Sequence, residues 1–244
     1  MADGPEVSVV MPAYNLEHVI ADSIGRVCNV LEKFFSSYEV IVVDDGSTDD
    51  TFIIASSLTD RERIKVFRNG LNVGKGFALK IGSLHASGKY TVFLDADMEI
   101  NPSQLTKYVL ALERADVVIA SKRHPGSKYE APFMRKFLSL GFNFLARLLT
   151  GVDVSDTQTG CKAFKTDALK SIMRIVVVKR YAFDVELLAV AKLLGLKIVE
   201  MPVKVELDKG FSLKSILQML LDLLGIAYRL RVIKWYQKRL EQLQ

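Results

Sequence analysis

Short apolar runs alternate with amphipathic stretches along most of this chain. Four of these runs are rich in β-branched and aromatic residues, which is typical of strands that are buried on both faces. They are Val7–Pro12, Tyr38–Asp44, Lys89–Leu94 and Val117–Ser121. The segments between them have helical spacing, and Leu16–Phe35 is the longest of these in the first half. Strands that alternate with helices predict an α/β fold, with a mostly parallel central sheet flanked by helices.

The pattern changes after Ser121. Residues 122–132 are polar and contain Pro, Gly and Ser, which indicates a loop. The elements predicted beyond it are a helix at Phe133–Thr150, a polar turn at Ser155–Gly160, a strand at Cys161–Phe164, a helix at Phe183–Leu194 and a strand at Lys197–Val205. We predict a main α/β domain over residues 1–210 and a basic, amphipathic C-terminal helical extension over residues 211–244.

Composition narrows the class of protein. Half of the 244 residues are hydrophobic, which suits one globular domain with a large core. Cys28 and Cys161 lie far apart in no metal-binding spacing, so we expect reduced, buried thiols and a reducing compartment. The three histidines form no ligand pattern. No charge-free run approaches the ~18 residues that a membrane-spanning helix needs, and the N-terminus lacks the apolar core of a secretory signal.

Basic residues are in excess, with a net charge of +5, and they concentrate in two places. One group flanks the loop after the fifth strand and consists of Lys122, Arg123, Lys128, Arg135 and Lys136. Solvated surface is the ordinary role of such a group. Its predicted position beside a strand end also suits an anionic second substrate, because the planar fork of arginine donates two bonds to phosphate.

The second basic group lies in the C-terminal extension. An apolar stripe runs from Leu213 to Leu230, and Trp235 and Tyr236 sit among lysines and arginines. A basic amphipathic helix with aromatic residues indicates an anionic membrane surface. The alternative is a helix packed on its own core or on a partner, either a membrane protein or a second copy of the chain. We expect a cytoplasmic protein, peripheral on the cytoplasmic face of a membrane, with no role in nucleic-acid binding.

Asp95-Ala96-Asp97 directly follows the apolar run that ends at Leu94 and is the most informative motif. In open α/β folds, ligands bind at the carboxyl ends of the strands. Two carboxylates placed there repel each other unless a hard cation lies between them. A cation with one or two carboxylate ligands commonly binds a diphosphate as well. The motif therefore predicts a magnesium or manganese site that handles a nucleotide, with Glu99 either a third ligand or a solvated acid.

Other predicted strand ends carry polar groups to the same edge. Asp44 and Asp45 can accept hydrogen bonds from a base or ribose, although an ordinary turn between strand and helix would use them too. Lys75 and Gly76 open a helix, where the N-terminus and the ammonium both favour an anion. The Gly-Lys-Gly sequence alone is weak evidence for an anion-binding site, because it also makes an adequate turn.

Taken together, these motifs resemble the inverting glycosyltransferases of family 2, which have a GT-A fold, and more specifically their dolichyl-phosphate glucose and mannose synthases. The resemblance runs from about Val7 to Val205. It rests on Val9–Asn15, Glu39–Ser47, Asn72–Gly76, Asp95–Asp97, Gly141–Arg147, Asp156–Gly160 and Arg180–Leu188. The last three stretches are specific to that branch.

The resemblance implies a role for individual residues. The nucleotide pocket would be formed by Pro12, Tyr14, Glu17, Asp44, Asp45, Lys75, Gly76, Asp95 and Ala96. Asp95 and Asp97 would hold the metal, and Lys122, Arg123 and Arg135 would bind a lipid phosphate. Two positions depart from the family pattern: Leu16 replaces an acid before Glu17, and Lys122 replaces an arginine.

The predicted reaction moves glucose or mannose from UDP- or GDP-sugar to dolichyl or polyprenyl phosphate, with inversion. A phosphate acceptor is already mostly ionised at neutral pH, since its second pKa is near ~6. A site for such an acceptor needs cations that hold the phosphate more than a base that deprotonates it, and Asp156 could orient those cations. If the acceptor is instead a sugar hydroxyl, Asp156 could be the base. Branch motifs lean slightly toward glucose.

Two rival classes of protein share some of these features. A sugar-1-phosphate nucleotidyltransferase has a similar sheet, but it would be expected to carry a Gly-rich signature with Arg and Lys near the N-terminus, and Met11–Asn15 is not that signature. A non-enzymatic scaffold on a membrane would have no use for the acidic strand ends. Metal-dependent binding of a nucleotide diphosphate would exclude the scaffold.

Overall fold

The computed structural model describes residues 4–60, 62–130, 132–206 and 213–242, and of residues 135 and 213–216 it describes the backbone alone. The strands are β1 Val7–Ala13, β2 Tyr38–Asp44, β3 Ile64–Arg68, β4 Tyr90–Leu94, β5 Val117–Ser121, β6 Cys161–Lys165 and β7 Ile198–Pro202. The helices are α1 Ile20–Phe34, α2 Thr51–Ser57, α3 Lys75–His85, α4 Leu105–Ala111, α5 Phe133–Thr150, α6 Thr166–Met173, α7 Phe183–Leu193, α8 Leu213–Ala227 and α9 Trp235–Glu241.

The seven strands form one sheet in the order β3-β2-β1-β4-β6-β5-β7. β1 pairs in parallel with β2 and β4, β2 with β3, and β5 with β7. β6 runs antiparallel to both β4 and β5. The predicted mostly parallel sheet is confirmed. The reversal of β6 and the helix α6 were not predicted.

Both faces of the sheet are covered, so successive residues of a strand enter two different cores. Val10 of β1 belongs to the core on one side, which also contains residues of α3, α5, α6, α7 and α8. Val9, its neighbour, belongs to the core on the other side, which contains residues of α1, α2 and α4. This three-layer arrangement explains why the strands are almost continuously apolar rather than alternating. It also leaves the strand ends as the place where polar side chains can gather.

The C-terminal helices pack on the first of these cores. Met219, Leu223 and Ile226 of α8 belong to the same buried cluster as α7. Leu217, Leu221 and Leu224 point away from it and are exposed. The predicted single stripe from Leu213 to Leu230 is therefore wrong in part, because α8 is apolar on two faces. The predicted domain boundary at 210/211 falls outside the described residues.

Both cysteines are free thiols, as predicted. Cys161, at the start of β6, is fully buried, and burial raises its pKa to about 12. Cys28 lies in α1 and is only partly buried. Among the described residues, no helix combines the length and the apolar character required to cross a bilayer.

Candidate active site

A cleft of about 380 Å³ opens where β1, β2 and β4 end. Its lining residues are Pro12, Ala13, Tyr14, Leu16, Asp45, Asn72, Gly74, Lys75, Asp95, Ala96, Asp97, Arg180 and Tyr181. The parallel strands bring these groups together, since their carboxyl ends share one edge of the sheet. Six of the nine residues predicted to bind the nucleotide line this cleft: Pro12, Tyr14, Asp45, Lys75, Asp95 and Ala96.

Lys75 binds Asp95 at the floor of the cleft. Its ammonium lies 2.7 Å from Oδ1 and 2.8 Å from Oδ2 of the carboxylate. Burial disfavours the charged form of Lys75, but the negative charges of Asp95, Asp184 and Asp97 outweigh it and raise the pKa of the ammonium. Burial raises the pKa of Asp95, against the opposing effect of Lys75. A lysine therefore lies against the carboxylate that we predicted as a metal ligand.

Asp97 is the second carboxylate of the motif and lines the same cleft. Its Oδ1 accepts a long hydrogen bond of 3.3 Å from the Glu99 N–H. Met98, between them, has a left-handed backbone with φ of 60°, a conformation that costs energy for a side chain of this kind. The Met98 N–H bonds to the Asp95 carbonyl at 3.4 Å, so Asp97 lies within a turn that directly follows β4.

The donor set at this position fits a hard divalent cation. Asp95 and Asp97 present carboxylate oxygens to one cleft. Within the described ranges, no group of three or more His, Cys, Asp or Glu side chains is arranged to hold a metal ion. Magnesium and manganese commonly take one or two carboxylates and complete their coordination with water and substrate phosphates. The residues thus suit a metal that binds together with a diphosphate.

Asp45 and Asp44 differ in their roles although they are adjacent. Asp45 accepts hydrogen bonds from the Asn69 amide (2.7 Å), from Val73 N–H (3.1 Å) and from Gly74 N–H (2.7 Å), which fixes the loop before α3. Asp44 is fully buried away from the cleft lining. It accepts bonds from the hydroxyl of Ser47 and from Arg68 Nε at 3.2 Å. The ordinary turn therefore accounts for the contacts of Asp44.

Two more predicted nucleotide residues lie outside the lining of the cleft. Glu17 Oε2 accepts a bond of 3.0 Å from the N–H of Asp50, so that it contacts the turn before α2. Gly76 is buried in the first turn of α3, and a Cβ atom there would lie 2.5 Å from the Cβ of Phe183. Gly76 thus permits α3 to approach α7 closely. Because Lys75 is the first residue of α3, this contact helps to position it.

Glu99 and Lys122 line a second, smaller cavity rather than the cleft. Both line a small cavity of about 10 Å³ together with Asp95 and Gly160. A Cβ atom on Gly160 would lie 2.3 Å from Asp95 Oδ2, so a larger residue there would displace the Asp95 carboxylate. Lys122 also stacks its ammonium over the ring of Tyr129, 5.0 Å from the centroid. The predicted third metal ligand and the predicted phosphate-binding lysine thus line the same small cavity as Asp95.

Asp156 is buried, and its carboxylate is bound by the protein itself. It accepts hydrogen bonds from Lys122 N–H (3.0 Å), from the Thr159 hydroxyl (2.7 Å) and from Gln158 N–H (3.1 Å). These contacts fit the role of orienting the basic loop better than that of a base open to substrate. Arg123 donates to the hydroxyl of Ser139 in α5 at 3.0 Å. The side chain of Arg135, in the first turn of α5, lies outside the described ones.

Sequence reasoning missed several residues at the site. Arg180 and Tyr181 line the cleft, and Asn72 lies beside them. Lys162 on β6 forms a buried ion pair of 2.7 Å with Asp184 of α7. Arg180, Tyr181 and Asp184 all fall within the stretch Arg180–Leu188, which carried the resemblance but received no role. The sequence feature that could have identified Arg180 is its position just before an apolar helix.

Comparisons of the sequence with a family model and with known proteins agree with each other. Residues 8–173 match the family model described as glycosyl transferase family 2. A dolichyl-phosphate beta-glucosyltransferase of Drosophila melanogaster is 34% identical over 257 residues, covering 96% of this chain and 79% of that protein. The dolichyl-phosphate beta-glucosyltransferase of Homo sapiens is 32% identical over 257 residues, covering 97% of this chain and 78% of that protein.

Solved structures share the fold. A glucosyl-3-phosphoglycerate synthase of Mycobacterium tuberculosis, crystallised with Mn²⁺, uridine diphosphate and phosphoglyceric acid, superposes with a TM-score of 0.69. It is 25% identical, and the match covers 92% of this chain and 79% of that one. The predicted GT-A fold is confirmed.

Proposed function

Because the chain belongs to glycosyl transferase family 2, is a glycosyltransferase and has a GT-A fold, we propose that it transfers glucose from UDP-glucose to dolichyl phosphate or a related polyprenyl phosphate, with inversion at the anomeric carbon. The names of the relatives favour glucose over mannose. One observation carries the proposal: Asp95 and Asp97 line the same cleft as Tyr14, Asp45 and Lys75.

The nucleotide-sugar occupies the cleft in this proposal. Tyr14 and Pro12 contact the nucleoside on one side, and Asp45 shapes the loop that closes the other. Lys75 and Arg180 supply positive charge for the diphosphate, since both line the cleft. A divalent cation held by Asp95 and Asp97, magnesium or manganese, would neutralise the charge that develops on the leaving diphosphate. The bound Mn²⁺ and uridine diphosphate of the solved relative support this assignment.

The acceptor approaches from the side of β5 and α5. A phosphate monoester is largely ionised at neutral pH, so the residues there need to hold an anion rather than remove a proton. Lys122, Arg123 and Arg135 follow β5 in the chain and would provide the positive charge. The buried Asp156 fixes the backbone at Lys122, which suits a cation-orienting role. A sugar-hydroxyl acceptor would need an unengaged base in its place.

Transfer of label into lipid tests the proposal. The protein is incubated with MnCl₂ or MgCl₂, dolichyl phosphate and either UDP-[¹⁴C]glucose or GDP-[¹⁴C]mannose, and the lipid is extracted. We expect label from UDP-glucose alone, and none when dolichol replaces dolichyl phosphate. Absence of label with both nucleotide sugars would refute the assignment, and label transferred to dolichol or to an oligosaccharide would indicate a hydroxyl acceptor.

The ion pair between Lys75 and Asp95 leads to a prediction about metal binding. Lys75→Met should bind Mn²⁺ in the absence of nucleotide at least about tenfold more tightly than the unmodified chain, since two unit charges 4 Å apart interact by roughly 4 kcal/mol at an effective dielectric constant of 20. Electron paramagnetic resonance of free Mn²⁺ measures the affinity. Lys65→Met, which removes an ammonium paired with Glu39 2.6 Å away, is the control. Equal Mn²⁺ affinity in both variants would contradict the prediction.

An apolar surface on α5 and α8 supports peripheral membrane attachment. Phe133, Phe137 and Phe144 are 81%, 63% and 65% exposed. Exposed apolar residues of the two helices are Phe133, Met134, Phe137, Leu138, Leu140, Phe144, Leu145, Leu148, Leu217, Leu221 and Leu224. Apolar patches of this kind on soluble proteins mark sites of interaction with protein or membrane. A lipid-linked acceptor favours the membrane, and a nucleotide-sugar substrate favours its cytoplasmic face.

Replacing these aromatic residues should release the protein from vesicles. The triple variant Phe133→Ser, Phe137→Ser, Phe144→Ser should lower partition onto phosphatidylserine-containing vesicles at least about tenfold, because burying one phenylalanine contributes about 1.5–3 kcal/mol. Sedimentation with vesicles measures it. Phe34→Ser on α1, also exposed, is the control. Unchanged sedimentation would point instead to a protein partner or a second copy on this surface.

A further inference from the structure

The segment 177–181 forms one wall of the nucleotide cleft and is bonded to the start of α3. Arg180 and Tyr181 line the cleft. The Lys179 carbonyl accepts a hydrogen bond of 3.1 Å from Phe77 N–H in the first turn of α3. Arg180 Nη2 donates to the carbonyl of Asn72 at 3.3 Å. The position of the segment therefore decides where the guanidinium of Arg180 lies.

Gly74 allows the segment 177–181 to approach the start of α3 closely. It has a left-handed φ of 126°, and a Cβ atom there would lie 2.5 Å from the Lys179 carbonyl oxygen. The loop that precedes Lys75 and the segment 177–181 are thus in backbone contact. A shift of the segment would be transmitted directly to the floor of the cleft.

Glu186 of α7 holds the other end of the segment. Its side chain is fully buried, and Oε2 accepts hydrogen bonds from Val177 N–H at 2.8 Å and from Val178 N–H at 2.6 Å. A buried carboxylate requires further partners, because an unpaired charge in the interior is costly. Those partners come from the C-terminal helices.

The C-terminal helices complete the coordination of Glu186. Tyr236, buried in α9, donates its hydroxyl proton to Glu186 Oε1. Arg229 donates from Nε to the Tyr236 oxygen at 2.9 Å and lies 3.7 Å from Glu186 Oε1. One carboxylate therefore joins α9, α7 and the wall of the cleft.

We propose that Glu186 and Tyr236 are positioning residues that fix the segment 177–181 so that Arg180 meets the diphosphate of the nucleotide-sugar. The inference rests on the proposed function, because it assumes that a nucleoside diphosphate occupies the cleft. The planar guanidinium of Arg180 suits phosphate oxygens. The C-terminal helices thereby contribute to nucleotide binding without touching the nucleotide.

Tyr236→Phe tests the proposal in the full chain, since it removes one hydroxyl and keeps the ring. We expect the Kd for UDP in the presence of Mn²⁺, measured by calorimetry, to rise roughly 5- to 10-fold. This is less than the roughly 10- to 150-fold that a whole hydrogen bond to a charged group corresponds to, because Tyr236 acts on the nucleotide only through the segment 177–181. The kcat at saturating UDP-glucose should stay within about twofold. Tyr228→Phe, an exposed tyrosine in the same region, is the control and should bind UDP normally. Unchanged UDP affinity in Tyr236→Phe would overturn the proposal.

A double-mutant cycle separates positioning from general loss of stability. If Tyr236 acts through Arg180, Arg180→Met and the double variant with Tyr236→Phe should bind UDP equally weakly, whereas additive losses would overturn the proposal. Glu186→Gln keeps an oxygen for the two backbone N–H groups, so it should retain more UDP affinity than Glu186→Leu. Equal losses in those two variants would also count against it. Failure of the unmodified chain to bind UDP would refute the proposed function instead.

Discussion

Asp97→Asn should lower kcat/KM for UDP-glucose by about 10²–10³-fold, the loss that follows removal of one group that stabilises transition-state charge. The substitution preserves size and replaces a carboxylate oxygen by an amide, so it removes one charged metal ligand. The ion pair between Lys75 and Asp95 stays in place, because Asp97 takes no part in it. Initial rates of label transfer, with UDP-glucose varied at fixed Mn²⁺, give the measurement.

Asp22→Asn provides the matched control. Asp22 is an exposed aspartate on α1 whose only described ion pair is with Arg26 at 3.8 Å, among the residues that the structure covers. We expect it to retain full activity, and we expect the melting temperature of Asp97→Asn to stay close to that of the unmodified chain. If Asp97→Asn transferred glucose at the normal rate, Asp97 would not be a ligand of the metal.

Asp184→Leu should destabilise the fold by about 3–5 kcal/mol, because it leaves the ammonium of Lys162 buried without its counter-charge. Both side chains are nearly inaccessible, and the two charged atoms are 2.7 Å apart. The remaining described bond of Lys162 is to the carbonyl of Thr159 at 2.7 Å, which carries only a partial charge. In a chain of this size the loss corresponds to a fall in melting temperature of roughly 6–20 °C. Thermal unfolding followed by circular dichroism measures it.

The double variant Lys162→Met with Asp184→Leu distinguishes lost charge pairing from lost packing. Replacing a whole buried pair by apolar side chains is often close to neutral, so most of the stability should return. Asp116 and Lys165, a more exposed pair 2.9 Å apart, supply the comparison, and Asp116→Leu should cost much less. A double variant as unstable as Asp184→Leu alone would mean that packing, not charge, controls this position.

Much of the fold and part of the site could be predicted from local sequence. The strands of the first half are apolar runs bounded by turns, and β2 and β5 have the predicted bounds. Asp95 and Asp97 were predictable because their place after β4 depends only on where that strand ends. The same reasoning brought Pro12, Tyr14 and Asp45 to one edge, where they line the cleft.

The contacts made across the fold could not be predicted in this way. Lys75 binds a carboxylate 20 positions further along the chain, and no local pattern specifies that bond. Asp44 and Asp45 have the same side chain in adjacent positions, and only the surrounding donors separate a buried turn residue from one in the cleft lining. The antiparallel direction of β6 likewise depends on its pairing with β4 and β5 rather than on its own five residues.

The reversed strand β6 has an evolutionary consequence. β5 ends and β6 begins at the same edge of the sheet, with Ile119 opposite Lys162, so the intervening residues 122–160 leave and rejoin the framework at adjacent points. An excursion of this kind can change in length without altering the register of any strand. Enzymes with this architecture can therefore exchange the segment that, in the proposed function, faces the acceptor while they keep the half that is proposed to bind the nucleotide-sugar. Grafting residues 122–160 from one relative into another would be a direct route to new acceptors.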